Sequence, residues 1–162
     1  MRKLLTLILF FCSVVTVRAD LLVTIPTKAC ELLQEVGLPT SDWKSEYDQE
    51  YGCSSNYKQL GAGSPLANNL AFYVEGNSSS VLQVYLMLNV NDKVTASTAH
   101  QELIKSAKVL SLKETGQQLP QKLIDAIKDG SNVSQKIGNA TVEVVRKVWP
   151  TGKGYEIKVS IN

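Results

Sequence analysis

The chain of 162 residues carries one histidine, two methionines, two tryptophans and three cysteines, and after residue 19 it has no long hydrophobic run. Each shortage removes a class of function. A protein zinc site needs several nitrogen or sulfur ligands at close quarters, and His100 has no second histidine or free cysteine to join it. No metal and no cofactor is therefore expected. A hydrolase triad would have to use His100 as its base beside a nucleophile and an orienting acid, yet the sequence contains no GxSxG, and Ser97 and Ser106 stand near it without a motif. A one-sided charge is missing too. Seventeen Lys and Arg face fifteen Asp and Glu, and removal of Arg2, Lys3 and Arg18 with a leader takes the formal charge from +2 to −1. Without a basic cluster nothing neutralises a phosphate backbone, which argues against a nucleic-acid partner. No stretch beyond residue 19 approaches the roughly 18 apolar residues of a membrane span.

The beginning of the chain reads as an address rather than as structure. Arg2 and Lys3 precede an almost wholly apolar run from Leu4 to Val15, and Val17-Arg18-Ala19 offers small or modest residues for a signal peptidase. Residues 1–19 are read as a signal peptide cleaved after Ala19, and 20–162 as one domain, periplasmic or secreted. Cys12 leaves with the leader. Cys30 and Cys53 remain as a pair in an oxidising compartment, at a spacing that fits neither a CxxC redox motif nor a zinc site. A disulfide between them closes a loop of about 24 residues, for which the chain-entropy account suggests roughly 3 kcal/mol.

The domain is organised around Val81 to Asn91, where Leu82, Val84, Leu86, Leu88 and Val90 alternate with Gln83, Tyr85, Met87 and Asn89. Period two over this length marks a strand with one wall in a core. Leu70 to Glu75 alternates likewise and pairs with it as a hairpin. Ala140 to Trp149 and Tyr155 to Ile161 form a second hairpin around the turn Pro150 to Gly154. Helices are predicted from Thr27 to about Val36, from Val94 to Thr115, and from Pro120 to Gly130, each closed by a glycine. Pro39 to Gly63 shows no sustained period and reads as a long stapled connection. The expected fold is α+β, a two-layer sandwich in the order α-ββ-αα-ββ, with an antiparallel sheet of about four strands and helices on one face.

Two surfaces are left over for function. If the apolar walls face the helices, the outward wall carries Tyr73, Tyr85, Met87, Lys147 and Trp149. Tyrosine, tryptophan and methionine are enriched where proteins bind one another; cross-strand pairing that merely stabilises the sheet is the plainer account. In the long loop Asp42, Glu46, Asp48 and Glu50 lie among Trp43, Tyr47 and Tyr51. Trp43, Glu46, Tyr47 and Asp48 thus form a second contact surface, or simply a solvated acidic loop. The segment Gly152-Lys153-Gly154 lacks the remaining elements of a phosphate loop and is a turn.

The pattern Cys30, Gly37 and Trp43, then Cys53-Ser54, Asn69-Leu70-Ala71-Phe72 with Val74 and Gly76, Leu88-Asn89-Val90-Asn91, Leu119-Pro120 and Gly154-Tyr155 to Ile161 resembles a family of small exported proteins of Gram-negative bacteria with no known activity. That resemblance implies a periplasmic setting and supplies no catalytic residue. The expected function is a non-enzymatic protein-binding module of the envelope, of the kind an immunity or inhibitor protein is, with another envelope or secreted protein as partner. A small hydrolase using the Asp42 to Glu50 carboxylates, or a carrier of a small ligand between helices and sheet, are the alternatives.

Overall fold

Alternating side chains build the centre of the molecule. In the computed structural model, which describes residues 21–63 and 66–162, β4 (Asn68–Gly76) and β5 (Val81–Val90) pair from Asn69↔Asn89 to Glu75↔Gln83. Leu70, Phe72 and Val74 of β4 and Val84, Leu86, Leu88 and Val90 of β5 point to one side and are buried. Over these walls lies α2 (Ala96–Thr115), which buries Leu103, Ala107 and Leu110 against them, while α3 (Gln121–Asp129) buries Leu123 and Ile127 over the neighbouring strands Val133–Ile137 and Ala140–Val148. Gly116 and Gly130 end these helices in the left-handed conformation, the role their positions predict. The signal peptide and its cleavage at Ala19 lie outside the described residues.

The sheet has twice as many strands as the sequence suggests. Three further strands, β1 (Lys44–Tyr47), β2 (Glu50–Ser54) and β3 (Lys58–Leu60), occupy the stretch read as a loop, and β6 (Val133–Ile137) follows α3. With β7 (Ala140–Val148) and β8 (Tyr155–Ile161) they complete an eight-stranded antiparallel sheet in the order β1-β2-β4-β5-β8-β7-β6, with β3 also paired to β4. The expectation of about four strands in the order α-ββ-αα-ββ is corrected on this point, five strands preceding α2 and three following α3, while the α+β class stands. These four strands are short, and three have little apolar alternation: β1 is exposed throughout, β3 has one buried residue, and β6 buries only Ile137. They form because neighbouring strands offer unpaired backbone, which a local hydrophobic period does not report.

Two local corrections matter for what faces where. Between Glu75↔Gln83 and Gly76↔Val81 the register shifts, so Leu82 is an extra residue. Such a bulge redirects side chains: Val81 is buried, and Leu82, assigned to the core wall, is 52% exposed. The first helix is shorter than Thr27 to Val36. α1 (Pro26–Cys30) is followed by a 3-10 turn over Gln34–Val36, with Gly37 left-handed at its end.

Cys30 and Cys53 form a disulfide that ties α1 to β2. The chain from Leu21 is held as well: the Leu22 N–H donates to the Glu114 backbone oxygen at 3.0 Å, and the Val81 N–H donates to the Thr24 carbonyl at 3.1 Å. Glu114 itself is fully buried on α2, where its Oε2 accepts the Val23 N–H at 3.1 Å. Among the described residues its Oε1 has no partner. Burial pushes the pKa of this carboxyl up to about 7, against the lowering effect of the Val23 hydrogen bond.

Candidate protein-binding face

Strand alternation sends Asn69, Ala71, Tyr73 and Glu75 of β4, and Gln83, Tyr85, Met87 and Asn89 of β5, to the side away from α2 and α3. Tyr73 and Tyr85 are direct cross-strand partners, and their rings stack with centroids 4.8 Å apart and planes 11° from parallel. Polar tips fix the pair. The Tyr85 hydroxyl donates to Glu75 Oε1 at 2.7 Å, and Tyr73 Oη lies 3.3 Å from Tyr57 Oη. From β8, the Lys158 ammonium sits 3.9 Å over the Tyr85 ring and reaches Gln83 Oε1 at 3.3 Å, adding a cation–π contact.

Burial raises the pKa of both phenols. For Tyr85 the hydrogen bond to Glu75 and the charge of that carboxylate push further, and for Tyr73 the bond to Tyr57 does. Both rings are therefore neutral donors at any physiological pH. Around them the surface is partly apolar, since Tyr57, whose hydroxyl meets Tyr73, is 55% exposed and Val145, the partner of Lys158, is 42% exposed. Glu46 reaches the same face, its Cγ lying 3.7 Å from where a side chain on Gly52 would begin. A side chain at Gly52 would also press on the Val74 carbonyl oxygen, at 2.9 Å. Glycine there lets β1, β2 and β4 lie close.

The chain matches the family of unknown function DUF6030 over residues 21–147. It belongs to that family. No curated protein and no solved structure matches it. The span matched to DUF6030 contains Tyr73, Tyr85 and Met87 and stops before Trp149.

Not every residue expected on this face shares one patch. Met87 does, paired with Ala71 and with Lys158. Lys147 instead pairs with Glu156, 4.0 Å away, and Trp149 lies over Gly154, where no side chain would fit beneath its ring. Gly154 is about six residues along the strand from Ser160, the partner of Tyr85, or about 20 Å at roughly 3.3 Å per residue. Lys147 and Trp149 thus belong to the far end of the sheet.

The acidic loop is a hairpin whose residues separate. Trp43 packs against the core beside the disulfide and stacks on Tyr51 at 6.5 Å. Glu46 pairs with Lys44 at 3.7 Å on the surface. Tyr47 is 80% exposed beside the turn, where Asp48 takes a positive φ of 49°. Two of the asparagines at the strand ends serve the backbone: buried Asn68 accepts the Asp92 N–H at 2.8 Å and donates to the Asp92 carbonyl at 3.0 Å, and Asn91 donates to the Ala67 carbonyl at 2.8 Å. Asn89 donates instead to the Asn69 side-chain oxygen at 2.9 Å.

One cluster has no trace in the sequence pattern. His100 of α2 is buried, with its Nε2 2.9 Å from the Tyr155 hydroxyl on β8, and the Arg146 guanidinium from β7 lies 3.7 Å from the centroid of the Tyr155 ring. Burial holds His100 below its ordinary range, aided by the charge of Arg146, so the ring is neutral at pH 7. Arg146 and Tyr155 share the last hairpin, and only the packing of α2 on the sheet brings the distant His100 to them.

Proposed function

We propose that this DUF6030 protein is a non-enzymatic binding module that contacts another protein through the outward face of its sheet, centred on Tyr73 and Tyr85. The observation that carries it is the stacked, hydrogen-bonded tyrosine pair on a face that neither α2 nor α3 covers, beside exposed Tyr57. Rigid aromatic side chains bury much area at little entropic cost, which makes them the usual anchors of an interface. The stack and the Glu75 bond hold both rings ready, so little ordering remains to be done on binding.

The partner fits an exported protein. A disulfide between the two cysteines of the described domain, together with the absence of any helix long and apolar enough to cross a membrane among the described residues, supports an exported setting, periplasmic or secreted. The carboxylates of the Asp42 to Glu50 hairpin support hydrolysis less well, since Asp42, Glu46, Asp48 and Glu50 are all exposed and no cleft gathers them.

The test is crosslinking in intact cells of the native host, followed by mass spectrometry, with a Tyr73→Ala, Tyr85→Ala double variant as control. One partner captured in stoichiometric amount by the wild type, and lost in a variant whose circular dichroism is unchanged, supports the module. Equal capture by both proteins, or none above background, removes the sheet face as the binding surface.

A further inference from the structure

The opposite side of the sheet holds a second feature, independent of the tyrosine face. A cavity of about 410 Å³ opens between the two longer helices, lined by Ser97, His100, Gln101 and Ile104 of α2 and by Lys128 of α3. Its walls are rich in donors. Ser97 has a hydroxyl, Gln101 an amide and Lys128 an ammonium. His100 uses Nε2 on Tyr155, and its Nδ1 has no protein partner among the described residues.

Charge accumulates behind this wall without an answer. Arg146 stacks on Tyr155 next to His100, and among the described residues no carboxylate forms an ion pair with it. Its Nε is buried and has no hydrogen-bond partner there. A buried guanidinium nitrogen left without an acceptor is costly, and native proteins seldom tolerate it without a reason. Lys128 has only a surface contact with Asp125, at 3.8 Å and largely exposed, which offsets little of its charge. One cation, Lys128, therefore lines a cavity whose remaining polar groups can all donate, and a second, Arg146, lies behind its His100 wall on Tyr155.

We infer that this cavity binds a small anionic ligand of the carboxylate or phosphate class, with Lys128, Ser97 and Gln101 as direct contacts, the free ring nitrogen of His100 as a further one, and Arg146 supplying charge from behind Tyr155. Ile104 gives the cavity one apolar wall, which suits a ligand with a short carbon part. The Tyr155 hydroxyl, by holding Nε2, fixes the orientation of the histidine ring. Arg146 and Tyr155 are positioning residues.

The experiment is a titration of the full chain, at pH 7 and constant ionic strength, with inorganic phosphate and separately with succinate. The resonances of the single histidine ring report on the cavity, and calorimetry gives the affinity. Binding of either probe with a Kd of about 20 mM or tighter, with movement of the His100 signals, supports the site; the tighter probe identifies the class. Lys128→Met lies on an exposed position and keeps the fold. Loss of one charge-assisted hydrogen bond there should weaken binding by about tenfold. Arg146→Gln should weaken it as well, and its thermal unfolding is recorded beside the titration to separate misfolding from lost charge. The inference is overturned if neither probe moves the His100 signals, if chloride moves them equally, or if Lys128→Met binds as tightly as the wild type.

Discussion

The two faces of β4 and β5 use the same backbone for opposite ends. Toward the helices, Leu70, Phe72, Leu86 and Leu88 are fully buried and held by area alone. Away from them, Tyr73 and Tyr85 stack, donate hydrogen bonds and remain partly open to water. Apolar burial is proportional to the surface removed from water and carries most of the stability, whereas an exposed aromatic pair adds only about 1 kcal/mol. Stability is thus concentrated on the inner face. The outer one is free to change its chemistry without unfolding the protein.

The largest contrast comes from removing an inner ring. Phe72→Ala should cost about 4 kcal/mol, read from urea unfolding, because the fully enclosed site leaves a cavity that its neighbours cannot fill.

A smaller effect, dependent on pH, comes from Glu114. Its carboxyl holds a proton up to about 7 in the folded chain but only to its ordinary value of 4.5 otherwise. Between those values the folded state binds more protons than the unfolded state. Stability is therefore fully present below the lower value, falls as pH rises toward the upper, and is level beyond it. Unfolding at pH 5 and pH 8 should differ by on the order of 2 kcal/mol from this group. Glu114→Gln should abolish that slope and leave the variant more stable than the wild type at pH 8.

On the outer face Tyr85→Ala should cost about 2 kcal/mol, from the lost stack and the bond to Glu75, while binding of the partner is lost. A cost as large as that of Phe72→Ala would erase the distinction between the faces. The finest test uses the bulge. Leu82→Ser should change unfolding by no more than about 0.5 kcal/mol, and Val81→Ser by about 2 kcal/mol or more. The reverse order would return Leu82 to the core.

Long alternating segments were legible in the sequence, and short or polar ones were not. The apolar alternation that marks Val84, Leu86 and Leu88 is absent from Lys44 to Tyr47, an edge strand with every residue exposed, so nothing in its composition distinguishes it from a loop. In β2 the two buried residues, Gly52 and Cys53, are adjacent rather than alternate, because glycine admits a close backbone and cysteine reaches inward to Cys30. Of the residues assigned to the outward face, Tyr73, Tyr85 and Met87 do share one patch, since the hairpin sets Tyr85 opposite Tyr73 and Met87, two residues on, opposite Ala71. Lys147 and Trp149 share the side but not the place. Their distance depends on β8 lying between β5 and β7, and hairpins do not reveal how they are ordered in a sheet.

From its residues alone this chain determined its class, its central hairpins, the glycine stops of its two longer helices and the pairing of its cysteines, because each is written in local periodicity, a stop residue or a simple count. Only the tertiary structure decided the width of the sheet, the burial of Val81 in place of Leu82, and the meeting of His100, Tyr155 and Arg146. Those depend on which backbone groups and side chains find one another across long stretches of chain, and no local pattern encodes that choice.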